Sequence, residues 1–371
     1  MPLYLTEDQA MLRDTARPFM AGEGGIGKEL RRLRDSGCSD GFGHALWKQF
    51  GEMGFTGILI DEADGGLGLG HVEAGIVLEE IGRNLTPSPF LISAVAFVEA
   101  VKRTALRERW FPGILAGETV AAVALDEGPK HRPEQIAMRA ERSGNGFRLS
   151  GRKQFVAQGA SADVVLVAAR AADGLTLFAV EKGATGLDVE GVRLADSSIG
   201  ARMTFDNVEV DADAVVGEVG GGEAILERVL AAGRAGAASE LVGVGSAAMD
   251  MTVDYLKQRK QFGRLIGEFQ SLQHRSAHLY AELEIARAAT LKAQQLLDEG
   301  AEEAEAMVSV AKAKAGRASQ LAVQESVQMH GGIGMTDEYD IGLYMKRDRV
   351  LNELFGDPAY HADRLARMKG Y

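Results

Sequence analysis

Cysteine is nearly absent from this sequence: Cys38 stands alone among 371 residues. No intrachain disulfide can form, and exported chains of this size more often carry cysteine pairs, so a cytoplasmic protein is expected. Long apolar runs are missing too. Between Met1 and Met20, Glu7, Asp8, Arg13, Asp14 and Arg17 interrupt the apolar positions, which leaves no apolar core for a signal peptide. The most apolar later stretch, Leu91 to Val101, is broken by Ser93 and Glu99. It falls far short of the roughly 20 residues that span a bilayer and is expected as a buried helix. Positive charge is scarce: 41 Lys+Arg face 53 Asp+Glu, a formal net charge of −12. A nucleic-acid binder needs a basic footprint that this balance does not supply, although a local cationic pocket for a phosphate-bearing small molecule is compatible with it.

What is present is an ordinary globular composition, 46% hydrophobic and 25% charged, at a length that predicts roughly two or three domains. Three blocks follow one another. From Leu5 to about Gly117 the pattern is mostly helical. Thr6 with Gln9 forms a capping-box signal, and the glycines of 22–27 and 65–70, with Pro87 and Pro89, divide the block into short helices. Between Val120 and Val216 the grammar is that of strands, as in Val164–Ala168 and Leu175–Val180. Ser143-Gly144-Asn145-Gly146 predicts a tight hairpin, and Met203, Phe205, Val208 and Val210 alternate except for a slip at Asp206-Asn207.

After the glycines of 217–222 the helical period returns. Leu241, Val244, Ala248, Met251 and Tyr255 form one stripe. Leu272, Ser276, Leu279, Leu283, Ala286, Thr290, Ala293 and Leu297 form a second. Ala304, Val308, Ala311, Ala315, Ala318 and Ala322 form a third. Stripes this rich in small residues predict closely packed antiparallel helices, and Gly331-Gly332 stops the last of them.

Two tempting motifs fail on context. Gly22-Glu23-Gly24-Gly25-Ile26-Gly27 fits a dinucleotide glycine fingerprint and, with Lys28, nearly a phosphate loop. Both need a preceding buried strand, which Asp14 to Pro18 does not provide, and Glu29 stands where Ser or Thr is required; a loop is expected. His274 and His278 share a helix face, but Arg275 occupies the place of a zinc peptidase's glutamate. The informative segments are Arg259-Lys260-Gln261-Phe262-Gly263, Phe269-Gln270 and Gln328-Met329-His330-Gly331-Gly332-Ile333-Gly334. An arginine beside a Phe-Gly helix end is a good phosphate clamp, and paired glycines let a backbone approach a flat or anionic ligand.

On these segments the chain resembles the acyl-CoA dehydrogenase family over nearly its full length. Leu5-Thr6-Glu7-Asp8-Gln9, the glycine loop from Gly65 to Gly70, Gly151-Arg152-Lys153-Gln154-Phe155 and Gly217-Glu218 add to the likeness. The resemblance implies an α+β multidomain fold: an N-terminal α-helical domain (1–118), a central β-barrel-like domain (119–217) and a C-terminal four-helix bundle (218–371). It implies FAD as cofactor, an acyl-CoA substrate, an electron-transfer flavoprotein or similar acceptor, and an oligomer. In that oligomer Arg259, Gln261, Phe262, Gln270, Gln328, Gly331 and Gly332 hold a neighbour's FAD, while Phe155, Val156 and Ala157 face the chain's own flavin.

The departures are one-sided. The family's C-terminal base precedes a glycine in a Tyr-Glu-Gly-Thr-like turn, but this chain has Leu354-Phe355-Gly356-Asp357-Pro358. Either Phe355 or Gly356 takes the glutamate's place, and neither accepts a proton. The alternative base position, before Arg234, is Gly233. Ala157 replaces a flavin-facing threonine, and Asp126 to Lys130 replaces a Gly-Ser-Asp loop. Asp357, and more weakly Glu353, are left as candidate bases, with Arg234 as a wall of the site; Asp357 before Pro358 also reads as a cap. This pattern is similar to the small subunits of bacterial heteromeric acyl-CoA dehydrogenases, which also end in Phe-Gly-Asp before a His-containing helix. Three alternatives stay open: a dehydrogenase subunit, a flavin- or acyl-CoA-binding partner without turnover, and another flavin reaction on the same fold.

Overall fold

Thr6 opens the first helix as the sequence predicts: its hydroxyl accepts from the Gln9 amide while the Gln9 side chain accepts from the Thr6 amide. The computed structural model describes residues 3–371. The first block holds α1 (Glu7–Gly22), α2 (Arg31–Asp35), α3 (His44–Glu52), α4 (His71–Asn84), α5 (Val98–Val101) and α6 (Arg107–Leu115). The strands are β1 (Ala121–Ala124), β2 (Arg139–Ser143), β3 (Gly146–Ala157), β4 (Val164–Ala171), β5 (Gly174–Glu181), β6 (Leu187–Arg193) and β7 (Ile199–Val210). Then come α7 (Gly222–Gln258), a hairpin of β8 (Lys260–Gln261) and β9 (Arg264–Leu265), α8 (Gln270–Asp298), α9 (Ala304–His330), α10 (Ile341–Glu353) and α11 (Pro358–Met368). Among the described residues no helix is long and apolar enough to cross a membrane.

The chain divides into two compact units. One comprises the residues up to Arg31, His71–Thr86 and Arg234–Tyr371. Here the predicted stripes form the seam: Leu241, Val244, Ala248, Leu279, Leu283, Ala286, Ala311, Ala315, Ala318 and Ala322 lie in one core. Small residues let backbones meet. A Cβ on Gly243 would stand 2.0 Å from the Glu79 carbonyl oxygen, and one on Gly82 2.1 Å from that of Glu240, so α4 and α7 cross with no side chain between them. Acids on these helices reach to others of the unit: buried Glu240 of α7 pairs with Arg347 of α10 at 2.6 Å, and half-buried Glu79 of α4 with Arg287 of α8 at 3.0 Å.

The other unit comprises Arg32–Gly70 and Pro87–Gly233. Its seven-stranded sheet runs β1-β4-β2-β3-β7-β6, with β5 also paired to β4. β2 and β3 meet at Ser143 and Gly146, the predicted hairpin. The slip in β7 is a real irregularity: Asn207 takes φ +53° opposite a register shift between Leu149 and Gly151, while Met203, Phe205 and Val208 stay in the core. Two stretches depart from expectation. Of the Gly22–Gly27 stretch expected as a loop, Ile26 and Gly27 begin a turn of π-helix, Ile26–Leu30, and the buried helix at Leu91–Phe97 is also π before it becomes α5.

Candidate functional site

One end of the helical unit gathers the predicted clamp. The β8–β9 hairpin carries Arg259 at its base, Gln261 beside the turn and Phe262 at its tip; Phe262 is 92% exposed and takes φ +53°. Arg264 lies over the Phe269 ring, 4.1 Å from its centroid, and steadies the hairpin against the start of α8. Phe269 is the N-cap of α8 and offers no side-chain acceptor, so the first amides of a 29-residue helix are left for an anion. Gln270 and Gln328 are exposed. Gly331, at φ +66°, ends α9, and a Cβ at Gly331 or Gly332 would meet nothing within 4 Å. Behind them His330 is buried and stacked on Tyr255 at 4.5 Å. Its Nδ1 lies 2.7 Å from the Ser326 carbonyl, so that nitrogen carries the proton, and burial pushes the pKa of His330 below its usual value. Amides, a guanidinium, an aromatic tip and an open glycine cradle form a donor set that fits the pyrophosphate and adenosine half of FAD.

In the sheet unit, a register shift between Lys153 and Val156 puts one extra residue into β3, and Phe155 takes φ +52° there. Phe155 and Ala157 are half-buried, whereas Val156 points into the core, so only its backbone is available to a ligand. The loop that replaces Gly-Ser-Asp is tied down internally. Glu127 accepts from the amides of Ala137 and Met138 and from Lys153 Nζ at 2.8 Å. Burial would raise the Glu127 pKa, but the bond and charge of fully buried Lys153 outweigh it and hold the carboxyl below its usual range.

The C-terminal turn is the third element. Phe355 (φ +58°, 5% exposed) and Gly356 (φ +101°) reverse the chain between α10 and α11. The Phe355 carbonyl accepts from Arg234 Nε at 3.4 Å and His361 Nε2 at 3.1 Å. Lys312, wholly buried, donates to the carbonyls of Leu351, Asn352 and Gly356 at 3.0, 3.2 and 3.0 Å. Burial pushes the pKa of Lys312 down to about 7 and that of Arg234 down to about 10, and it raises buried Asp348 to about 6. Asp357 Oδ1 accepts from the Tyr360 amide at 2.8 Å, with Pro358 next in line. Its carboxylate is the N-cap of α11.

The structure therefore groups the clamp residues at one end of the helical unit and packs Arg234 against the turn. Sequence reasoning missed Lys312, Tyr360 and the open start of α8. Lys312 sits beside Ala311 in a stripe that reads as plain core, and no local pattern marks its carbonyl partners 39 to 44 positions away. His274 and His278 are exposed on α8. A cavity of about 370 Å³ lies elsewhere in the helical unit, lined by residues such as Tyr4, Arg17, Glu80, Val242 and Arg287. None of the predicted site residues lines it.

Comparison with known proteins bears on all three elements. Family models described as acyl-CoA dehydrogenase N-terminal, middle and C-terminal domains match residues 6–118, 128–208 and 220–369. The mitochondrial isovaleryl-CoA dehydrogenase of Solanum tuberosum is 33% identical over 327 residues, which covers 83% of this chain and 78% of that one. A solved variant of the steroid ACAD Tcur3481–Tcur3483 is 30% identical, with a TM-score of 0.90 over 98% of each chain. A glutaryl-CoA dehydrogenase from Mycobacterium smegmatis, solved in complex with FADH2, shares the fold at 22% identity and a TM-score of 0.89, over 99% of this chain and 95% of that one.

Proposed function

The chain belongs to the acyl-CoA dehydrogenase family of FAD-dependent oxidoreductases, and from that premise we propose that it is the carboxylate-lacking subunit of a heteromeric enzyme. Its fold is the family's: an N-terminal helical domain, a central sheet and a C-terminal bundle. We keep 1–118, 119–217 and 218–371 as the functional division. The substrate is a CoA thioester with a branched or ring-bearing acyl group, a choice supported by the isovaleryl and steroid enzymes among its relatives. An electron-transfer flavoprotein or similar carrier takes the electrons.

The observation that carries the proposal is the C-terminal turn. Gly356, at φ +101°, sits where only glycine is comfortable, and Asp357 caps the next helix. This supports matching Gly356 to the family's glycine, which gives Phe355 the base position. Bound FAD supplies the hydride acceptor. The chain's own residues bind and orient. Arg259, Gln261, Phe262, Gln270, Gln328, Gly331 and Gly332 are offered to a neighbour's cofactor, and Phe155, the Val156 backbone and Ala157 to its own. Ala157 gives up the hydroxyl bond that the family's threonine makes to flavin. A chain whose clamp serves a neighbour works at least as a dimer.

The test is the homogeneous chain, reconstituted with FAD and assayed on short, medium, branched and ring-bearing acyl-CoAs with an artificial acceptor. Little turnover is expected alone, with full activity once a base-bearing subunit is added. Robust turnover of the lone chain, abolished by Asp357→Asn but not by Glu353→Gln, would overturn the proposal and make Asp357 the base.

A further inference from the structure

The cavity of about 370 Å³ in the helical unit takes no residue from the clamp or the C-terminal turn, and its size is at the lower end of small-molecule sites, roughly 300–1,000 Å³. It lies between α1, α4, α7 and α8. Its floor is apolar: Val72, Ile76, Val242 and Leu291 are all buried. Charge around it is already matched. Arg17 lies 2.8 Å from Glu80, Arg287 3.0 Å from Glu79 and Arg13 2.8 Å from Asp14, and Arg83 pairs with Asp250. A charged ligand would therefore have to break one of these pairs to be matched itself. What the cavity lacks is a hydrogen-bond donor. Gln294, which lines it, is 4% exposed. The Gln294 Nε2 donates to Ser239 Oγ at 2.7 Å, and this is the one side-chain hydrogen bond that Gln294 makes among the described residues. Its Oε1 is thus left with no donor. Glu80, also in the lining, takes both Arg17 bonds on Oε1 and leaves Oε2 without a partner. Buried acceptors in this state are costly, and a ligand that donates recovers the cost.

We propose that this cavity is a binding site for a small neutral alcohol, whose apolar body lies on Val72, Ile76, Val242 and Leu291 and whose hydroxyl donates to Gln294 Oε1. The site goes beyond the proposed function and does not depend on it, because none of the residues given to flavin or to the base position takes part. Water satisfies the Gln294 oxygen but gains nothing from the apolar floor; an alcohol satisfies both. A neutral donor also leaves the four arginine–carboxylate pairs intact, whereas an ammonium would approach Arg17 and Arg83 beside Glu80. The ligand would bridge four helices of one unit, so its binding stabilises that unit by mass action.

The experiment titrates the whole FAD-reconstituted chain with 1-hexanol in a calorimeter, beside methyl pentyl ether, which has the same length and no O–H, and beside hexanoate and hexylamine. Saturable binding of the alcohol is expected, with the ether weaker by about fivefold for the one hydrogen bond it cannot give, and both charged probes weaker than the alcohol. Ala288 lines the cavity from a half-buried position; Ala288→Phe fills the space and should abolish binding while FAD is retained. Gln294→Met removes the acceptor and should bring the alcohol down to the affinity of the ether. An ether that binds the wild type as tightly as the alcohol would overturn the proposal, and this comparison stands even where Gln294→Met fails to fold. So would tighter binding of hexanoate or hexylamine, or no saturable uptake, which would leave a cavity that holds water only. Binding that survives Ala288→Phe, or that isovaleryl-CoA displaces, would place the alcohol elsewhere and refute the site. The turnover assay of the wild-type chain uses none of these variants, so the proposed function stands or falls separately.

Discussion

Replacing Lys312 with methionine keeps the length of a buried side chain and removes its charge and three donors. The ordinary lysine value of 10.5 is brought to about 7 in the fold, and at about 1.4 kcal/mol per pKa unit that separation sets a ceiling of roughly 5 kcal/mol. The sign follows from linkage. Because the folded value lies below the unfolded one, the unfolded chain binds a proton between about pH 7 and 10.5 that the fold resists. Stability is therefore fully present above the unfolded value and falls by up to about 1.4 kcal/mol per pH unit as pH drops toward the folded one. Lys312→Met lacks this dependence. At pH 9 the neutral amine has two N–H groups to give to the carbonyls of Leu351, Asn352 and Gly356, and losing them costs about 1 kcal/mol each. The variant should thus be less stable by roughly 2 kcal/mol at pH 9, and the gap should nearly close by pH 7 as the wild type loses roughly that much. Urea unfolding followed by circular dichroism, at one subunit concentration and several pH values, reads the gap directly. Parallel wild-type and variant curves from pH 7 to 9 would mean that the three carbonyls keep the ammonium charged in the fold, and the reasoning would fail.

Asp357→Ala should lower stability by about 1 kcal/mol through loss of the α11 cap, whereas Asp357→Asn should change it by only a few tenths; thermal melts distinguish the two. Gly243→Ala places a methyl 2.0 Å from the Glu79 carbonyl, and because backbone cannot yield as a side chain does, a cost of about 1–3 kcal/mol is expected, with faster amide exchange in α4. Arg259→Gln and Phe262→Ala remove side chains exposed in the monomer, so their effect on unfolding should stay within about 0.5 kcal/mol. FAD retention and oligomer mass by light scattering should both drop.

Much of the fold was legible because its causes are local. Thr6 with Gln9, the Asn-Gly hairpin and the alanine-rich stripes each carry their instructions within a few residues. The π-turns at Ile26–Leu30 and Leu91–Phe97 were not legible, because an apolar run gives the same periodicity whether its bonds reach four residues back or five. The segments from Arg259 to Gly332 stood out because their residue types suit phosphate and flat rings. The C-terminal turn was readable only as an absence. The contacts that build the turn join residues as far apart as Arg234 and Tyr360, 126 positions along the chain, which no local pattern reveals.

The imidazole of His330 offers a practical handle. Its proton is fixed on Nδ1 by the Ser326 carbonyl, its face rests on Tyr255, and the next residue is the first glycine of the open cradle. A ring nitrogen locked in one tautomer gives a single, sharply defined 15N resonance, and the ring current of Tyr255 makes that resonance sensitive to small displacements. Selective 15N-histidine labelling would therefore turn this core residue into a silent observer of the cradle, reporting arrival of a flat ligand without perturbing a surface group.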